Sequence, residues 1–240
     1  MRQFFDFIMK GLSRKSLLLV CILCLPSFLL VGQQYNRIRA DFSIKVRTSS
    51  GGQSLTLGQI FYDKNNKQII YYISFPEREI WLTADTMIYQ IRNDKLVTKT
   101  ATFAIAEFTV FHLALNSRLQ DFGLRNTQYT IGDVSREADL VITTWSPPEK
   151  TRQTLGNILV SVKNKQLFGV IFQNPQGVVI RKQFFEEYLV TNGLSFPGRI
   201  VEINTIEGRD SYQVTTYKNI VVDEMGNDNK YFYNISGLHF

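Results

Sequence analysis

The chain has very little of what catalysis and metal binding require. Its 240 residues include only two cysteines and two histidines. A zinc site needs several Cys, His or carboxylate ligands at defined spacing, and no such spacing occurs in this sequence. The nucleophile motif G-x-S-x-G and the phosphate loop G-x-x-x-x-G-K-[ST] are also absent. These absences argue against an enzyme, and we expect neither a metal nor another cofactor.

The remaining titratable side chains do not form a recognisable site. His112 lies in an apolar segment and His239 lies next to the C-terminus, with no aspartate or cysteine near either in a known motif. Glu186 and Glu187 are adjacent on a predicted strand, so their side chains point to opposite faces. An enzyme acting on envelope lipids stays an alternative, which substitution of these four residues with alanine would test.

Both cysteines, Cys21 and Cys24, lie in what we predict to be an export signal. Basic residues precede residues 16–31, which are almost wholly apolar, and Gly32 offers a small-residue exit. This is the layout of a secretory signal peptide. The apolar run is short for a spanning helix of about 20 residues, and Pro26 interrupts it. We therefore predict a signal peptide over residues 1–33, with an uncleaved inner-membrane anchor as the alternative.

The spacing of the two cysteines has two further interpretations. C-x-x-C is a redox motif when it opens a helix of a thioredoxin-like fold, but here it stands inside the signal. A lipid-modified N-terminal cysteine needs a small residue before it, whereas Val20 and Leu23 stand there. Removal of the signal would leave a chain without disulfides, whose own core has to stabilise it.

The net charge is small once the signal is set aside. The chain carries 27 basic and 21 acidic residues. The signal holds four of the basic residues and one of the acidic ones, so the net charge falls from +6 to +3. The remaining charges are scattered in ones and twos, whereas nucleic-acid binding needs a clustered basic face. We therefore expect no nucleic-acid partner.

Alternation of apolar and polar residues dominates residues 34–240 and predicts β-strands. Phe42, Ile44 and Val46, for example, share one face of the first predicted strand. Turn signals rich in glycine, asparagine and proline separate the segments. The predicted strands cover residues 41–47, 55–63, 68–75, 79–83, 87–92, 141–145, 158–163, 167–173, 178–187, 199–205 and 211–222.

One segment has a different period. Between residues 104 and 119, Phe108, Phe111, Leu115 and Leu119 recur at spacings of three and four, which predicts an amphipathic helix. No long linker or internal repeat interrupts the chain. We therefore predict a single domain over residues 34–240, mainly β with a few helices, built on one strongly curved antiparallel sheet.

Residues 69–73 place bulky apolar side chains on both faces of a predicted strand. An antiparallel sheet usually exposes one face to water, so both faces need cover here. A sheet curved around a helix can enclose an apolar space for a ligand. A simply filled core is the alternative interpretation of the same pattern.

Four segments in the first half of the chain stand in a recognisable order. They are Ala40-Asp41-Phe42-Ser43-Ile44-Lys45-Val46, Gly58-Gln59-Ile60-Phe61-Tyr62, residues 69–76, and Glu79-Ile80-Trp81-Leu82-Thr83-Ala84-Asp85-Thr86-Met87-Ile88-Tyr89. Their order and spacing over residues 36–98 resemble those of the periplasmic lipoprotein carriers of the LolA type. The second half is similar only in style, with a lid-like helix, a strand that ends near Trp145, and terminal hairpins.

The resemblance implies an unclosed β-barrel covered by a helical lid, with an apolar cavity that shields acyl chains in the periplasm. Such carriers take acylated lipoproteins from an inner-membrane release complex and pass them to an outer-membrane acceptor. It implies no cofactor, and we expect a monomer. The alternative is a non-transport lipid- or lipoprotein-binding module of the same fold, either an envelope-stress sensor or an assembly factor.

Alternation and the resemblance together predict the residues of the site, although plain core packing is the alternative for each. The predicted cavity residues are Phe42, Ile44, Phe61, Ile69, Tyr71, Ile73 and Trp81. The predicted lid residues are Phe108, Phe111 and Leu115. Lys64 stands where the family has an arginine that helps to hold the lid closed. Lysine can donate hydrogen bonds there, but it lacks the guanidinium fork.

Overall fold

The computed structural model describes residues 34–102 and 109–236, in which thirteen strands form one antiparallel sheet. The strands are β1 (Arg37–Arg47), β2 (Gln53–Asp63), β3 (Gln68–Phe75), β4 (Glu79–Ala84), β5 (Met87–Arg92), β6 (Lys95–Ala101), β7 (Thr130–Glu137), β8 (Leu140–Ser146), β9 (Ile158–Lys163), β10 (Gln166–Gln173), β11 (Val179–Thr191), β12 (Leu194–Ile206) and β13 (Arg209–Val222). The helices are α1 (Val110–Leu115) and the 3₁₀ turns Leu124–Asn126, Glu149–Thr151 and Asp228–Lys230.

The predicted signal peptide over residues 1–33, the lid residue Phe108 and the second histidine, His239, lie outside the described residues. No helix within the described ranges is long and apolar enough to span a membrane.

The sheet consists of two meanders, which are joined where the first strand of the chain pairs with the last. Strands β1 to β6 pair in order on one side, β7 to β13 pair in order on the other, and β1 pairs with β13 in the middle. β6 and β7 are therefore the two edges, although they follow each other in the chain. They do not pair, so the sheet is not closed into a barrel. The chain between Ala101 and Thr130 has to link the two edges.

The described part of this link, residues 109–129, covers one face of the sheet. We call it the crossover segment, and the sheet face beneath it the inner face. α1 contacts β1 and β12 at the middle of the sheet. Four of its six residues, Phe111, Leu113, Ala114 and Leu115, are buried. The main core therefore lies between the crossover segment and the inner face.

The helix that the sequence predicts over residues 104–119 continues past the observed end of α1, and residues 104–108 of that prediction lie outside the described residues. α1 ends at Leu115 because Ser117 adopts a left-handed conformation, with a φ of +55°. The Ser117 N–H donates to the Ala114 carbonyl (3.0 Å) and the Arg118 N–H to the Leu113 carbonyl (2.7 Å). This pair of hydrogen bonds is the Schellman arrangement, which satisfies the last helical carbonyls. Within the described residues, the cover is thus a short helix and a loop, so the predicted continuation of the helix over residues 116–119 is wrong.

A C-terminal segment covers part of the opposite, outer face of the sheet. This segment, residues 223–236, places Tyr231 against Phe61, with ring centroids 5.2 Å apart. Gln68 exchanges two hydrogen bonds with the backbone of Tyr233. A second, smaller apolar cluster around Ile70 lies beneath it. This segment explains why β3 carries bulky residues on both faces.

Candidate functional site

Most of the predicted cavity residues do lie on one face of the sheet. The residues on the inner face, buried or partly buried in the main core, are Phe42, Ile44, Ile69, Tyr71, Ile73 and Trp81. Strand pairing explains the arrangement, because Tyr71 stands opposite Trp81 on the next strand and residues directly opposite share a face. Contact of these side chains with a lipid stays a prediction.

Phe61 is the exception, and its predicted place is wrong. The pairing of β1 with β2 sets Ile60 opposite Ala40 and Tyr62 opposite Ile38, and all four of these belong to the main core on the inner face. Because side chains alternate along a strand, Phe61 points to the outer face. There it packs against Tyr231 of the C-terminal segment. Phe61 therefore belongs to the packing of the outer face.

The middle of the inner face is filled by an aromatic cluster around Phe111. The Phe111 ring stacks on Phe196 (5.6 Å between centroids) and meets Tyr217 edge-on (5.4 Å). Next to it, the Tyr62 hydroxyl and His112 Nδ1 lie 2.6 Å apart in a hydrogen bond that ties α1 to β2. The predicted lid residues Phe111 and Leu115 are thus buried packing residues, 2% and 3% exposed.

Two tyrosine hydroxyls lie within this apolar region. Burial raises the pKa of Tyr71 to about 12, because an apolar environment disfavours the phenolate. Burial also raises the pKa of Tyr217 well above its usual value of 10.0, and the nearby Tyr71 adds to the effect. Neither hydroxyl has a hydrogen-bond partner among residues 34–102 and 109–236. Among the described residues, the inner face therefore holds two hydroxyl groups that lie in apolar surroundings and donate no hydrogen bond to the protein.

The inner face also carries a polar cluster that sequence reasoning missed. Glu202 accepts hydrogen bonds from the side-chain amides of Gln183 and Asn204. The Arg181 guanidinium lies 4.2 Å from the centroid of the Phe172 ring. Arg181 Nε and Gln183 Oε1 are buried and have no hydrogen-bond partner. The only sequence signal was that Gln183 stands two residues from Phe185, and thus on the same face of β11.

An open groove lies where the crossover segment approaches β7, β8 and β9. Its volume is about 870 Å³, within the range of about 300–1,000 Å³ that is typical of ligand pockets. Its apolar floor consists of Val141, Trp145, Val160 and Val162. Its charged rim consists of Arg118, Asp121, Arg125, Arg136, Asp139 and Lys165. We call these residues the inner groove.

The floor of the inner groove continues the main core. Trp145 and Val160 belong to the same apolar cluster as Phe111, and Val162 packs against it. Val141 is 41% exposed, and Ile131, which also lines the groove, is 53% exposed. A ligand in the groove would therefore contact apolar side chains that water now reaches.

A second pocket, of about 990 Å³, lies elsewhere on the sheet. Its lining combines the polar and charged side chains Asp41, Gln59, Arg78, Glu79 and Lys230 with apolar ones that include Leu57, Ile80 and Ile91. Ile80 and Ile91 belong to the smaller apolar cluster of the outer face, so this pocket does not lie under the crossover segment. Within the described ranges, no group of three or more His, Cys, Asp or Glu side chains could hold a metal ion.

Lys64 shows no sign of the predicted lid contact. It lies in the turn after β2, where its backbone N–H donates to the Asn36 carbonyl at 3.0 Å. Its ammonium group makes no hydrogen bond or ion pair with any described residue. A role of Lys64 in lid control therefore stays a prediction.

Solved structures of other proteins have a similar fold. A LolA superfamily protein from Nitrosomonas europaea is 12% identical in sequence and aligns with a TM-score of 0.55, over 83% of this chain and 92% of its own. The fold is LolA-like. An outer membrane lipoprotein-sorting protein domain from Vibrio parahaemolyticus aligns with a TM-score of 0.58 at 9% identity, over 83% of this chain and 91% of its own.

A protein of the DUF1329 family from Desulfovibrio piger shares the LolA-like fold as well, with a TM-score of 0.57, 10% identity, and coverage of 83% of this chain and 90% of its own. No model of a known protein family matches the chain, and no curated protein sequence matches it. The similarity is thus one of fold. It confirms the predicted LolA-like, unclosed antiparallel sheet.

Proposed function

We propose that this protein binds the acyl chains of lipoproteins on the inner face of its sheet and carries them across the periplasm. The inner groove is the observation that carries the proposal, because it offers an open apolar floor on the covered face of a LolA-like sheet. Two proteins of similar fold are described as a LolA superfamily protein and a lipoprotein-sorting domain, which supports the same class of ligand.

The energetics of an acyl chain require such a surface. Each methylene group left in water costs about 0.8 kcal/mol, so a whole chain costs on the order of 10 kcal/mol. A carrier has to remove this cost during transit and still release the chain at its destination. The floor around Trp145 and Val160 supplies apolar contact, and the open side of the groove leaves a path for entry and exit.

The crossover segment is the element that would have to move for a larger ligand to bind. Phe122 packs against Phe172 and Phe185 (5.9 and 6.1 Å between ring centroids), next to the floor of the inner groove. Displacing this part of the segment would extend the apolar floor toward the middle of the sheet. Binding and release then need only an exchange of apolar contacts, without a nucleotide or a catalytic group.

The carrier would act between two membrane partners. It would accept acylated lipoproteins from an inner-membrane release complex, pass them to an outer-membrane acceptor, and travel between them as a monomer after export. These partners and the periplasmic location follow from the carrier role, so they are tested together with it.

A non-transport binding module of the same fold is the second candidate. One observation favours it: the aromatic cluster around Phe111 fills the middle of the inner face. A protein that keeps this cluster in place still leaves the inner groove open to a ligand. An envelope-stress sensor or an assembly factor needs no more than that, whereas a carrier has to shield every acyl chain of its cargo.

A pair of matched variants tests acyl binding in the inner groove. Val141 in the groove and Ile180 of β11, which does not line the groove, are almost equally exposed, at 41% and 43%. We expect Val141→Asp to weaken binding of a triacylated peptide about tenfold or more, because a carboxylate would be desolvated by the acyl chain. Ile180→Asp should leave binding unchanged. Native mass spectrometry of the wild-type protein with the peptide gives the reference.

Transfer between vesicles then separates the two candidates. A carrier should move a fluorescent triacylated peptide from donor to acceptor vesicles at a rate that rises with protein concentration. Tight binding without transfer would favour the non-transport module. Absence of binding by the wild-type protein, or equal losses in the two aspartate variants, would contradict the proposal itself.

A further inference from the structure

The charges around the inner groove are strongly unbalanced. Its rim holds the basic residues Arg118, Arg125, Arg136 and Lys165 and only two acidic residues. The rim thus carries a surplus of two positive charges, out of a net charge of +3 for residues 34–240.

Both acidic residues of the rim are already paired. Asp121 accepts from Arg125 Nε at 3.2 Å, four residues further along the chain. Asp139 lies 2.6 Å from the Lys163 ammonium, and this contact lowers the pKa of Asp139. Each of the two carboxylates is therefore already neutralised by its own ion-pair partner, and neither pairs with the other cations of the rim.

Three cations remain without an acidic partner among the described residues: Arg118, Arg136 and Lys165. They come from three separate parts of the chain, which are the crossover segment, strand β7 and the turn between β9 and β10. All three side chains line the same groove. Because these parts are distant from one another in the sequence, the three cations come together only in the folded protein.

We infer that the inner groove binds an anionic phospholipid, with an acyl chain on the floor of Val141, Trp145, Val160 and Val162 and the phosphate between Arg118, Arg136 and Lys165. The inference rests on the proposed acyl binding and adds the chemistry of the head group. A guanidinium matches two phosphate oxygens at once through its planar fork, and an ammonium supplies a further point charge.

The apolar floor and the basic rim together select one class of ligand. An apolar molecule without charge would leave the three cations without an anionic partner. A soluble anion would leave the apolar floor in contact with water. A zwitterionic phospholipid would bring a cation of its own toward the basic rim, where like charges repel. An anionic phospholipid satisfies both parts of the groove.

Tryptophan fluorescence offers a direct assay, because Trp145 lies in the floor of the groove and Trp81 is the only other tryptophan of the chain. In a Trp81→Phe background, short-chain phosphatidylglycerol would be titrated below its micelle concentration, with short-chain phosphatidylcholine and a monoacylglycerol in parallel. We expect phosphatidylglycerol to bind about tenfold more tightly than phosphatidylcholine, and this preference to shrink in high salt.

Two double variants with the same change of charge provide the control. The groove variant is Arg136→Gln with Lys165→Gln. The control variant is Arg209→Gln with Lys218→Gln, two exposed residues of β13 outside the groove. We expect the groove variant to lose the preference for phosphatidylglycerol, about tenfold, and to bind the monoacylglycerol as the wild type does. The control variant should keep the preference.

The outcomes separate this inference from the proposed function. Equal binding of phosphatidylglycerol and phosphatidylcholine, with normal binding of the monoacylglycerol, would overturn the head-group inference alone. Failure of all three ligands would overturn acyl binding as well. Binding to anionic vesicles without binding of the monomeric lipid would also overturn the inference, in favour of docking on a membrane surface. Thermal unfolding of each variant would verify that it is folded, which we expect because all four residues lie at the surface or at the groove rim.

Discussion

Replacing Phe111 with alanine tests how firmly the crossover segment is packed on the inner face. The Phe111 ring is 2% exposed, and its centroid lies 5.6 Å from that of Phe196 and 5.4 Å from that of Tyr217. A buried Phe→Ala change costs about 3–5 kcal/mol through lost transfer energy and the cavity that remains. Because aromatic pairs add about 0.5–1.5 kcal/mol each, we expect a loss of about 4–5 kcal/mol in the free energy of unfolding.

Urea unfolding followed by circular dichroism measures this loss directly. In a domain of this size, each kcal/mol lowers Tm by about 2–4 °C, so the variant should melt about 8–20 °C below the wild type. Phe232→Ala is the matched control, because Phe232 is 53% exposed in the C-terminal segment. It should change the free energy of unfolding by no more than about 0.5 kcal/mol.

A loss below about 1 kcal/mol for Phe111→Ala would refute this account of the core. It would mean that α1 rests on the sheet without stabilising it. The middle of the inner face would then be available to a ligand at little cost, and the argument for a binding site confined to the inner groove would fail. A large loss would instead identify Phe111 as a structural residue that a ligand cannot displace cheaply.

Three further changes have distinct signatures. Because the pKa of Tyr71 is raised to about 12, this tyrosine ionises at lower pH in the unfolded chain than in the folded one. The free energy of unfolding should therefore be unaffected by the ionisation of Tyr71 below pH 10 and should fall between pH 10 and 12, by up to about 1.4 kcal/mol per pH unit for this tyrosine. In urea titrations across that window, Tyr71→Phe should make the fall less steep. Gly58→Ala should cost about 3 kcal/mol by the same unfolding assay, because a Cβ there would lie 2.2 Å from the Tyr72 carbonyl oxygen; an unchanged stability would contradict the tight β2–β3 pairing. Phe61→Leu should cost about 1.5 kcal/mol without changing the affinity for an acylated peptide, since Phe61 lies on the outer face, and weaker binding by the folded variant would show that this placement is wrong.

Sequence alternation predicted most of the strands because their apolar residues face a core. The predicted segments over residues 68–75, 87–92 and 158–163 coincide with β3, β5 and β9. The two edge strands, β6 and β7, were missed. Every residue of β7 is exposed, so its sequence carries no apolar alternation, and only its backbone pairing with β8 makes it a strand.

The candidate site was less predictable, because it depends on register between strands. Alternation tells which residues of one strand share a face, but it does not tell which face of β2 matches Phe42 of β1. The observed register sets Gly58 opposite Phe42, which brings Ile60 to the inner face and sends Phe61 to the outer one. In the same way, Gln183 is a polar residue of a type that usually faces solvent, yet the pairing of β11 with β12 brings it opposite Glu202 on the inner face.

The pairing of the first strand with the last explains why the site lies where it does. Because β1 and β13 meet in the middle of the sheet, the two edges belong to strands that are consecutive in the chain. The link between them has to pass from one edge to the other, and it does so over the inner face, where α1 reaches β1 and β12. A cover is therefore a necessary result of this topology, and only its side chains decide how much of the face stays open. Large residues such as Phe111 fill the middle, whereas the polar residues Arg118, Gln120 and Asp121 line the inner groove beside β7, β8 and β9. The proposed ligand site at the β7 edge therefore lies where polar residues of the crossover segment alternate with buried apolar ones such as Leu119 and Phe122.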